Sequence, residues 1–522
     1  MTGRKKEDMS NNSKINTVRN AGSTVALLAL IMCFSKVFGF ARDIILADIY
    51  GATSIVDIYI TTLSIPEVLM DILAQTVTLG YIPIAVGMIV DDGNSVNRFT
   101  NSVLKLLLSI GILFTLFLFV CPKVAIHLLA PGFSGELENT AVLFLRVIAF
   151  TVVFRTVANL INAYLNSCKC FVPGACFGII LDICVILSIY VSKFSGWIFW
   201  LPIGALLGTV FQMAFVIPFS RKRGYSLDLT AKIFTPETRK LLEMIVPAAM
   251  ATGVLQITAL VNKALASNIV EGGITMLNYS NKISYFAENI LVAAVATVLY
   301  PTLSELVATK KMIEFAGELR IAINKLIALL IPAACGLACL SYEIIDILYG
   351  HGAFTDSAVL RTSVLMTLSV IGICGIGVQT LLTRALFSMK KVKVSIIVSI
   401  SLLVAFVGLS IAFSKLWGLE GIAIATGVSY IVGGLAYYIV INSICGNIGV
   451  RDNVLVLLKT LFASAVMSAA ILAVKPYISA LPQTITLILL IGIGVIVYFA
   501  VAQLIRIKEV SISAIKNLLL RK

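Results

Sequence analysis

The chain has 522 residues, of which 59% are hydrophobic and only 13% are charged, and its mean hydropathy is +1.02. An average soluble domain carries about 25% charged residues, so this composition excludes an ordinary water-soluble enzyme, a disordered chain and a coiled coil. The net charge is +14, but no basic arm with interleaved aromatic residues accompanies it, which argues against nucleic-acid binding.

Apolar runs of about 20 residues, separated by short polar breaks, predict an all-α integral membrane protein with 14 transmembrane helices. Several runs are longer than a bilayer requires, so we expect some helices to be tilted, kinked or broken. In chain order the predicted spans are 24–47, 55–90, 103–129, 138–165, 171–192, 196–219, 239–269, 273–305, 313–349, 357–388, 392–413, 418–443, 454–477 and 481–506.

Lysine and arginine are distributed unevenly between the two sides of these spans. If both termini are cytoplasmic, 29 of the 40 Lys and Arg residues lie on the cytoplasmic side and five lie on the other. The positive-inside rule therefore predicts that both termini are in the cytoplasm. We expect basic cytosolic tails at 1–23 and 507–522 and a cytosolic loop at 220–238.

The six remaining cations lie within predicted spans, where a charge costs about 3 kcal/mol at the bilayer centre. A cation is retained there when it faces a wet cavity or an acidic partner, or when it reaches the interface from a span end. Two structural alternatives therefore stand beside a binding role: Arg42 with Asp43 anchors the end of the first helix, and Arg146 pairs with a buried acid such as Asp182. The six are Lys36, Arg42, Arg146, Arg155, Lys263 and Lys282.

The sequence carries no motif of hydrolytic, nucleotide-dependent or metal chemistry. It has two histidines, and its ten cysteines form no paired CxxC pattern. We therefore expect a transporter with no catalytic residues, no cofactor and no metal. The alternative of a membrane-embedded glycosyltransferase needs an acidic site on a sizeable loop, whereas the longest internal loop, 220–238, is short and basic.

Parts of the chain repeat at a separation of 218–222 residues. Ile65–Pro83 is echoed by Ile283–Pro301: the first ends in Tyr-Ile-Pro and the second in Tyr-Pro, and each contains at least one carboxylate. The repeats predict two parallel six-helix lobes with pseudo-twofold symmetry, an N-lobe at 24–219 and a C-lobe at 239–443. Spans 13 and 14, within 454–506, are two extra C-terminal helices.

Six motifs in order resemble those of the MviN/MurJ family, the lipid II flippases of bacterial peptidoglycan synthesis. The resemblance extends from about residue 24 to residue 506 and includes the two extra spans. The motifs are SKVFGFARDIILADIYGATSIVDIY (35–59), LLAPGF (128–133), INAYLNSCKCFVPGA (161–175), VPAAMATGVLQITALVNKALAS (246–267), LNYSNKISYF…VLYPTLSE (277–305) and YGHGAF…TRALFSMKKVKV (349–394).

The resemblance implies a multi-pass protein of the bacterial cytoplasmic (inner) membrane, in the multidrug/oligosaccharidyl-lipid/polysaccharide exporter superfamily, that acts in cell-wall biogenesis and cell shape. It implies that lipid II, the undecaprenyl-pyrophosphate-linked peptidoglycan precursor, moves from the inner to the outer leaflet by alternating access. Spans 13 and 14 would form a groove for the lipid tail. Besides this lipid-linked glycan and membrane lipids, we expect cell-wall synthesis proteins as partners, no nucleic acid, and a monomer.

Two other transport functions stay open at this point. One is a flippase for another polyprenyl-linked glycan, such as an exopolysaccharide or teichoic-type repeat unit. The other is a drug or cation antiporter of the same superfamily, against which the cationic cavity and the two extra spans argue.

The family's cavity arginines, carried over one at a time, fall on four cations of this chain that we predict to contact the pyrophosphate: Lys36, Arg42, Lys282 and Arg146. Four acidic residues are predicted to gate the cavity by salt bridges to these cations or to couple transport to protons: Asp57, Glu67, Asp71 and Glu288. Lysine at positions 36 and 282 keeps the charge of arginine but lacks its bidentate fork.

The chain departs from the family in two regions. Met70 and Gln75 stand where an arginine and a glutamate are usual, and Asn262 stands where some members have an aspartate of a sodium site, which argues against such a site here. A stripe of Asn159, Asn162 and Asn166 in span 4 fits either sugar contacts or interhelical hydrogen bonds.

Overall fold

The computed structural model describes residues 27–91, 93–228, 230–446, 448–478 and 480–510, and the regular structure of these residues is entirely helical. The predicted cytosolic tail at 1–23 and residues 511–522 of the predicted tail at 507–522 lie outside the described residues. A short 3₁₀ helix, Lys508–Val510, is the last described element.

Six helices occupy the first six predicted spans. A π-helical turn at Val77–Tyr81 interrupts the second helix, and short helices at Pro122–Leu129 and Val172–Ala175 follow the third and precede the fifth. In chain order the six are α1 (27–50), α2 (Ser54–Thr76 and Ile82–Asp91), α3 (Gly93–Val120), α4 (Glu136–Ala149 and Thr151–Ser167), α5 (Phe177–Ser195) and α6 (Trp200–Lys222).

Eight further helices occupy the remaining spans, and a short helix at Ser341–Tyr349 follows the ninth. This short helix and Pro122–Leu129 stand at equivalent places in the two halves, and their last residues begin two similar segments, LYGHGAF (348–354) and LLAPGF (128–133). The eight are α7 (Pro236–Ala266), α8 (Gly273–Ala308), α9 (Met312–Cys339), α10 (Asp356–Val370 and Ile373–Ser388), α11 and α12 (the two parts of Val392–Cys445), α13 (Val450–Ile478) and α14 (Gln483–Leu504).

Two breaks explain why some helices are shorter than their apolar runs. Gly418 has a φ of 60° and a ψ of −132°, a conformation that favours glycine, and it separates α11 from α12. The two parts of α10 meet at an angle of 46°. Within the described residues eight helical stretches are long and apolar enough to cross a membrane, with α11 and α12 counted together as one stretch. The bent α10 makes a ninth.

Each of the fourteen predicted spans is helical over most of its described residues. The predicted fold class, a helical membrane protein of 14 spans, is therefore confirmed. The physical reason is that a membrane span must satisfy every backbone hydrogen bond internally, so an apolar run of sufficient length leaves few alternatives to a helix.

The chain divides into two compact units. Unit 1 contains 27–49, Thr62–Ile126 and Gly135–Thr252 of the described residues. Unit 2 contains Tyr50–Thr61, His127–Ser134 and the described residues from Gly253 onward. The first two turns of α2 therefore group with unit 2, and the predicted lobe boundaries at 219 and 239 stay a prediction.

Each unit has its own apolar core. In unit 1, side chains of α2, α3 and α4 meet around Tyr81, whose ring centroid is 5.3 Å from that of Phe99 and whose hydroxyl is 2.7 Å from that of Thr100. In unit 2, α8, α9, α10 and α12 enclose a core that includes Leu326 and Tyr437.

The two extra helices pack against α9 of unit 2. Met467 of α13 and Tyr498 of α14 are buried with Ala328 of α9, and the Tyr498 hydroxyl donates to the Ala328 carbonyl at 2.6 Å. Arg320 pairs with Asp452 at 2.8 Å near one end of α9, and Glu343 pairs with Lys475 at 2.5 Å beyond the other end. We call these two ion pairs the α9 clamp.

Candidate functional site

Arg42 on α1 lies between two buried carboxylates. Its Nη2 atom is 3.0 Å from Oδ1 of Asp43, and its Nη1 atom is 2.8 Å from Oδ1 of Asp182 on α5. Asp182 therefore pairs with Arg42. The alternative predicted from the sequence, a pair between Asp182 and Arg146, is wrong. The arrangement joins α1 to α5 and compensates the charge of Arg42 twice.

Lys36 lies six residues earlier on the same helix, and its side chain is exposed. No ion pair or hydrogen bond to its ammonium group occurs among the described residues. Its charge is therefore available to a ligand in a way that the charge of Arg42 is not.

The two arginines of α4 have different partners. The Nε atom of Arg146 donates to the carbonyl oxygen of Phe119 at 3.3 Å, and its guanidinium carbon lies 5.7 Å from the centre of the Phe119 ring, within cation–π range. Arg155 lies 4.0 Å from a carboxylate oxygen of Glu67 on α2. Glu67, predicted as a gating residue, thus has an arginine partner within unit 1.

The first turns of α2 and α8 cap each other. Asp57 Oδ1 accepts hydrogen bonds from the backbone N–H and the hydroxyl of Thr275, at 2.7 and 2.6 Å. Glu271 Oε1 accepts the equivalent pair from Ser54, at 3.2 and 2.8 Å. Carboxylates are favourable here because the first N–H groups of a helix lack intrahelical partners and carry the positive end of the helix dipole. We call Ser54, Asp57, Glu271 and Thr275 the reciprocal cap.

The local sequence explains why these caps come from a distant helix. Gly272 precedes α8 and has no side chain with which to cap it, so Asp57 supplies the acceptor. The hydrogen bonds from Ser54 lower the pKa of Glu271 below its ordinary value of 4.5, so Glu271 is a carboxylate at neutral pH.

Two glycines allow the backbones to approach closely around the reciprocal cap. Gly51 and Gly272 have φ angles of +63° and +73°, and a Cβ atom at either would lie 2.3 Å from the carbonyl oxygen of Ala353 or 2.1 Å from that of Ala52. They precede α2 and α8 and are separated by the repeat distance, so the sequence repeat corresponds to a repeated structural device.

Unit 2 encloses a cavity of about 600 Å³ among α7, α8, α10 and α12. Its charged lining consists of Lys263, Glu288 and Arg384. Glu288 is only 5% exposed. Of the sequence-predicted residues, Glu288 lines this cavity, whereas Lys282 does not.

Arg384 is a cavity cation that the sequence analysis missed. Although it lies within the predicted span 357–388, the count of cytoplasmic cations includes it with the basic stretch 384–393; the structure places it inside α10, four residues from Ser388, the last residue of that helix. The missed signal was helical spacing, because Ile376, Thr380 and Arg384 follow one another at intervals of four and line the same cavity.

Carboxamides make up much of the remaining polar lining. Asn262 is 7% exposed; its Nδ2 atom donates to the Thr426 hydroxyl at 3.2 Å, and its buried Oδ1 atom has no partner. The other four are Gln256, Asn278, Asn281 and Asn289. Among the described residues no group of three or more His, Cys, Asp or Glu side chains is arranged to hold a metal ion.

The departures in α2 have a partial structural account. Met70 is 1% exposed in the core of unit 1, with its sulfur 3.9 Å from the Thr156 hydroxyl, a place where an arginine would lack room and a partner. The neighbouring Asp71 is half-buried. The side chain of Gln75 lies outside the described residues.

The asparagine stripe of α4 includes one close packing contact. Asn162 Oδ1 is buried without a hydrogen-bond partner, and its amide lies so near Gly174 that a Cβ there would be 2.1 Å away. Asn162 thus packs against the segment before α5.

A second cavity in unit 2, of about 520 Å³, is almost entirely apolar. Side chains of α9, α10, α12 and α13 line it, among them Ile327, Cys374, Leu435 and Leu457. Asn453 and Tyr438, hydrogen-bonded at 2.8 Å, are its polar members. None of its lining residues comes from α14, so this cavity involves only one of the two extra helices.

The sequence of the chain matches the family described as lipid II flippase MurJ over residues 46–492. The chain belongs to the MurJ family. The probable lipid II flippase MurJ of Thermotoga maritima is 27% identical over 484 residues, covering 91% of this chain and 95% of that protein. The probable lipid II flippase MurJ of Rickettsia prowazekii is 24% identical over 504 residues, covering 92% and 97%.

Solved structures agree with this membership at the level of the fold. A lipid II flippase MurJ in an inward closed conformation matches with a TM-score of 0.79 at 24% identity, covering 92% of this chain and 98% of that one. An inward-facing multidrug resistance MATE family transporter matches with a TM-score of 0.68 at 12% identity, covering 79% and 95%. The predicted resemblance to the MurJ family is confirmed, and the likeness to the MATE transporter concerns the fold alone.

Proposed function

We propose that this chain moves lipid II from the inner to the outer leaflet of the bacterial inner membrane by alternating access. Membership of the MurJ family over residues 46–492 is the observation that carries this function. The chain is accordingly a multi-pass transporter and not an enzyme. With both termini in the cytoplasm, 29 Lys and Arg residues lie on the cytoplasmic side and five on the other, and this bias supports that orientation.

The pyrophosphate is the part of the substrate that hydrocarbon excludes most strongly. Cations in a wet cavity replace its hydration through charge-assisted hydrogen bonds. We assign this contact first to Lys36, whose ammonium group has no protein partner among the described residues, and to Lys282. Arg42 and Arg146 contribute less in this proposal, because carboxylates and the Phe119 ring already compensate them.

Lys263 and Arg384 extend the set of proposed anion contacts. Both line the 600 Å³ cavity of unit 2 together with Glu288. In the absence of an anionic ligand Glu288 offsets part of their charge, and an arriving anion competes with it. This competition is the gating role that we propose for Glu288.

The apolar cavity suits a prenyl chain. Its lining offers apolar side chains from four helices and a single polar pair, so a hydrocarbon tail placed there leaves few polar groups unsatisfied. We propose that part of the undecaprenyl tail occupies it during transport.

Genetic complementation tests the function directly. The chain is expressed in a bacterium whose own lipid II flippase is depleted, and growth is measured together with the amount of protein in the membrane. Restored growth is the expected result. Failure at normal membrane abundance would contradict lipid II as the substrate and favour another polyprenyl-linked glycan.

Substitutions at position 282 test the proposed pyrophosphate contact. Lys282→Ala is expected to abolish complementation, whereas Lys282→Arg retains it because the positive charge is kept. Lys415→Ala is the matched control, since Lys415 is an exposed lysine outside the proposed site. Full growth of Lys282→Ala would remove this residue from the proposed contacts.

A further inference from the structure

The 600 Å³ cavity of unit 2 is lined by more carboxamides than charged groups. Its lining contains five amide side chains and three charged ones. The hydroxyl groups of Tyr285 and Tyr430, which also line it, lie 2.7 Å apart. Binding an anion alone does not require so many neutral groups that both donate and accept hydrogen bonds.

The amides follow the helical period along α8. Asn278, Asn281, Tyr285 and Glu288 lie three or four residues apart, which places them on one face of the helix. Asn262 and Gln256 of α7 line the same cavity, as does Thr380 of α10. The groups therefore converge from three helices on one space.

Several of these polar groups lack a partner within the described part of the chain. The side chains of Asn278 and Asn281 have no hydrogen bond to protein, and the buried Oδ1 atom of Asn262 has none either. A buried polar group that stays unsatisfied costs about 1–3 kcal/mol, so this wall is built for water or for a ligand that offers hydrogen bonds.

We propose that this cavity is a recognition subsite for the uncharged disaccharide of the substrate, with Asn278, Asn281 and Asn262 bonding to sugar hydroxyl and acetamido groups. Sugar hydroxyls and acetamides carry a donor and an acceptor side by side, as carboxamides do. The volume lies within the range of small-ligand sites, about 300–1,000 Å³. The proposal rests on the proposed function and deepens it, since it assigns the carboxamides of this cavity to the sugar and leaves contact with the pyrophosphate to the cations Lys263 and Arg384.

The test measures binding of two soluble probes to the purified full-length chain in detergent. The probes are the N-acetylglucosaminyl–N-acetylmuramic acid disaccharide, without lipid or peptide and with its lactyl carboxyl group converted to the uncharged amide, and inorganic pyrophosphate. Asn278→Leu/Asn281→Leu removes the hydrogen-bonding groups while nearly conserving volume. Asn268→Leu is the matched control, because Asn268 bonds to the Ala264 carbonyl and does not line the cavity.

The disaccharide is expected to bind the wild-type chain and the Asn268→Leu control equally. In the double variant its affinity falls at least about tenfold, the equivalent of one or two lost hydrogen bonds, while pyrophosphate binding changes less than about twofold. Asn281→Gln, which keeps the amide, recovers part of the loss. The thermal unfolding midpoint of each variant shows whether it is folded.

Three results would overturn the proposal. They are no disaccharide binding by the wild-type chain, unchanged disaccharide binding by a folded double variant, and displacement of the bound disaccharide by free stem peptide but not by excess free sugar. If the double variant does not fold, Asn281→Gln and Asn278→Ser, measured singly, decide the same question. Loss of pyrophosphate binding in Lys282→Ala with intact disaccharide binding would support the subsite, whatever complementation shows about lipid II.

Discussion

Individual charged residues carry most of the functional information in this chain, because each is costly in a membrane and needs a compensating contact. Arg42 has its contact in the two carboxylates of Asp43 and Asp182, and Lys36 has none among the described residues. Residue type alone marks both cations as unusual within a span. Their roles differ because Arg42 has a partner 140 residues away, Asp182, that the sequence does not assign to it.

Replacing Asp182 tests whether Arg42 is held structurally. Asp182→Leu leaves Arg42 with one carboxylate, and we expect a loss of about 3 kcal/mol in the free energy of unfolding, seen as a lower thermal midpoint in detergent. The triple substitution Arg42→Leu/Asp43→Asn/Asp182→Leu recovers part of that loss, because none of the three charges then remains.

The exposed pair between Arg361 and Glu420, at 3.6 Å, provides the control. Glu420→Gln is expected to cost less than about 1 kcal/mol, since solvent screens that pair. Equal losses for Asp182→Leu and the triple substitution would contradict the structural role of the Arg42 pairing.

How far the site is predictable also appears at this scale. Glu288 and Lys263 could be selected from sequence because they interrupt apolar runs. Arg384 is not selected in this way, because it lies one turn before the end of its span, beside the basic stretch that follows, and counts with the cytoplasmic cations. Met70 is the opposite case. The family resemblance marks its position as functional, whereas the structure shows that Met70 is part of the apolar core of unit 1.

Among helices, the contact with the clearest consequence is the reciprocal cap of α2 and α8. Its four hydrogen bonds join residues 217 or 218 positions apart, close to the period of the sequence repeat. Two helices that are equivalent in the repeat thus satisfy each other's N-terminal groups.

Removing one carboxylate should weaken this contact by a measurable amount. Asp57→Ala is expected to cost about 1–2 kcal/mol, as for other lost helix caps, and Glu271→Ala about 1 kcal/mol because it is more exposed. Protection of the α8 N-terminal amides from hydrogen exchange reports the loss at Asp57. Unchanged exchange at Thr275 in Asp57→Ala would contradict the cap.

The contribution of Glu271 should depend on pH. Because Ser54 lowers the pKa of Glu271 in the folded protein, its stabilisation is present above the ordinary value of 4.5 and is lost as the pH falls through the lowered pKa. The stability difference between wild type and Glu271→Gln is therefore expected to be constant near neutral pH and to shrink below about pH 4.5. A difference that grows on acidification would show the opposite sign and refute this assignment.

At the level of helices the sequence predicts the fold well, for a physical reason. Hydropathy locates α3 or α14 because lipid admits only hydrogen-bonded backbone. It does not locate the π-helical turn in α2 or the break at Gly418, since these depend on local packing that composition does not encode.

In the molecule as a whole, α13 and α14 share a core contact with α9 of unit 2, and the α9 clamp adds an ion pair near each end of α13. Asn324 of α9 also donates to Glu509, at 3.1 Å, beyond the end of α14. The two extra helices are therefore fixed parts of unit 2.

The α9 clamp predicts an unequal response at its two ends. Glu343 is 7% exposed, so Lys475→Met leaves a buried carboxylate unpaired and is expected to cost about 3 kcal/mol. Asp452→Asn breaks a pair whose side chains are 41% and 54% exposed and should cost less than about 1 kcal/mol. Thermal unfolding in detergent measures both, with the exposed Lys415→Met as control; equal effects at the two ends would show that burial does not govern the clamp.

The reciprocal cap has a kinetic consequence that follows from its being double. When the hydrogen bonds to one carboxylate break, those to the other still hold the two helix ends together. The free carboxylate then faces its partner at a high effective concentration, so its hydrogen bonds form again before the helix ends separate. Full separation requires both to be open in the same brief interval, which makes it rarer than either event alone. Substituting a single carboxylate should therefore accelerate separation by the factor that its rebinding had contributed, and substituting the second should multiply that acceleration again.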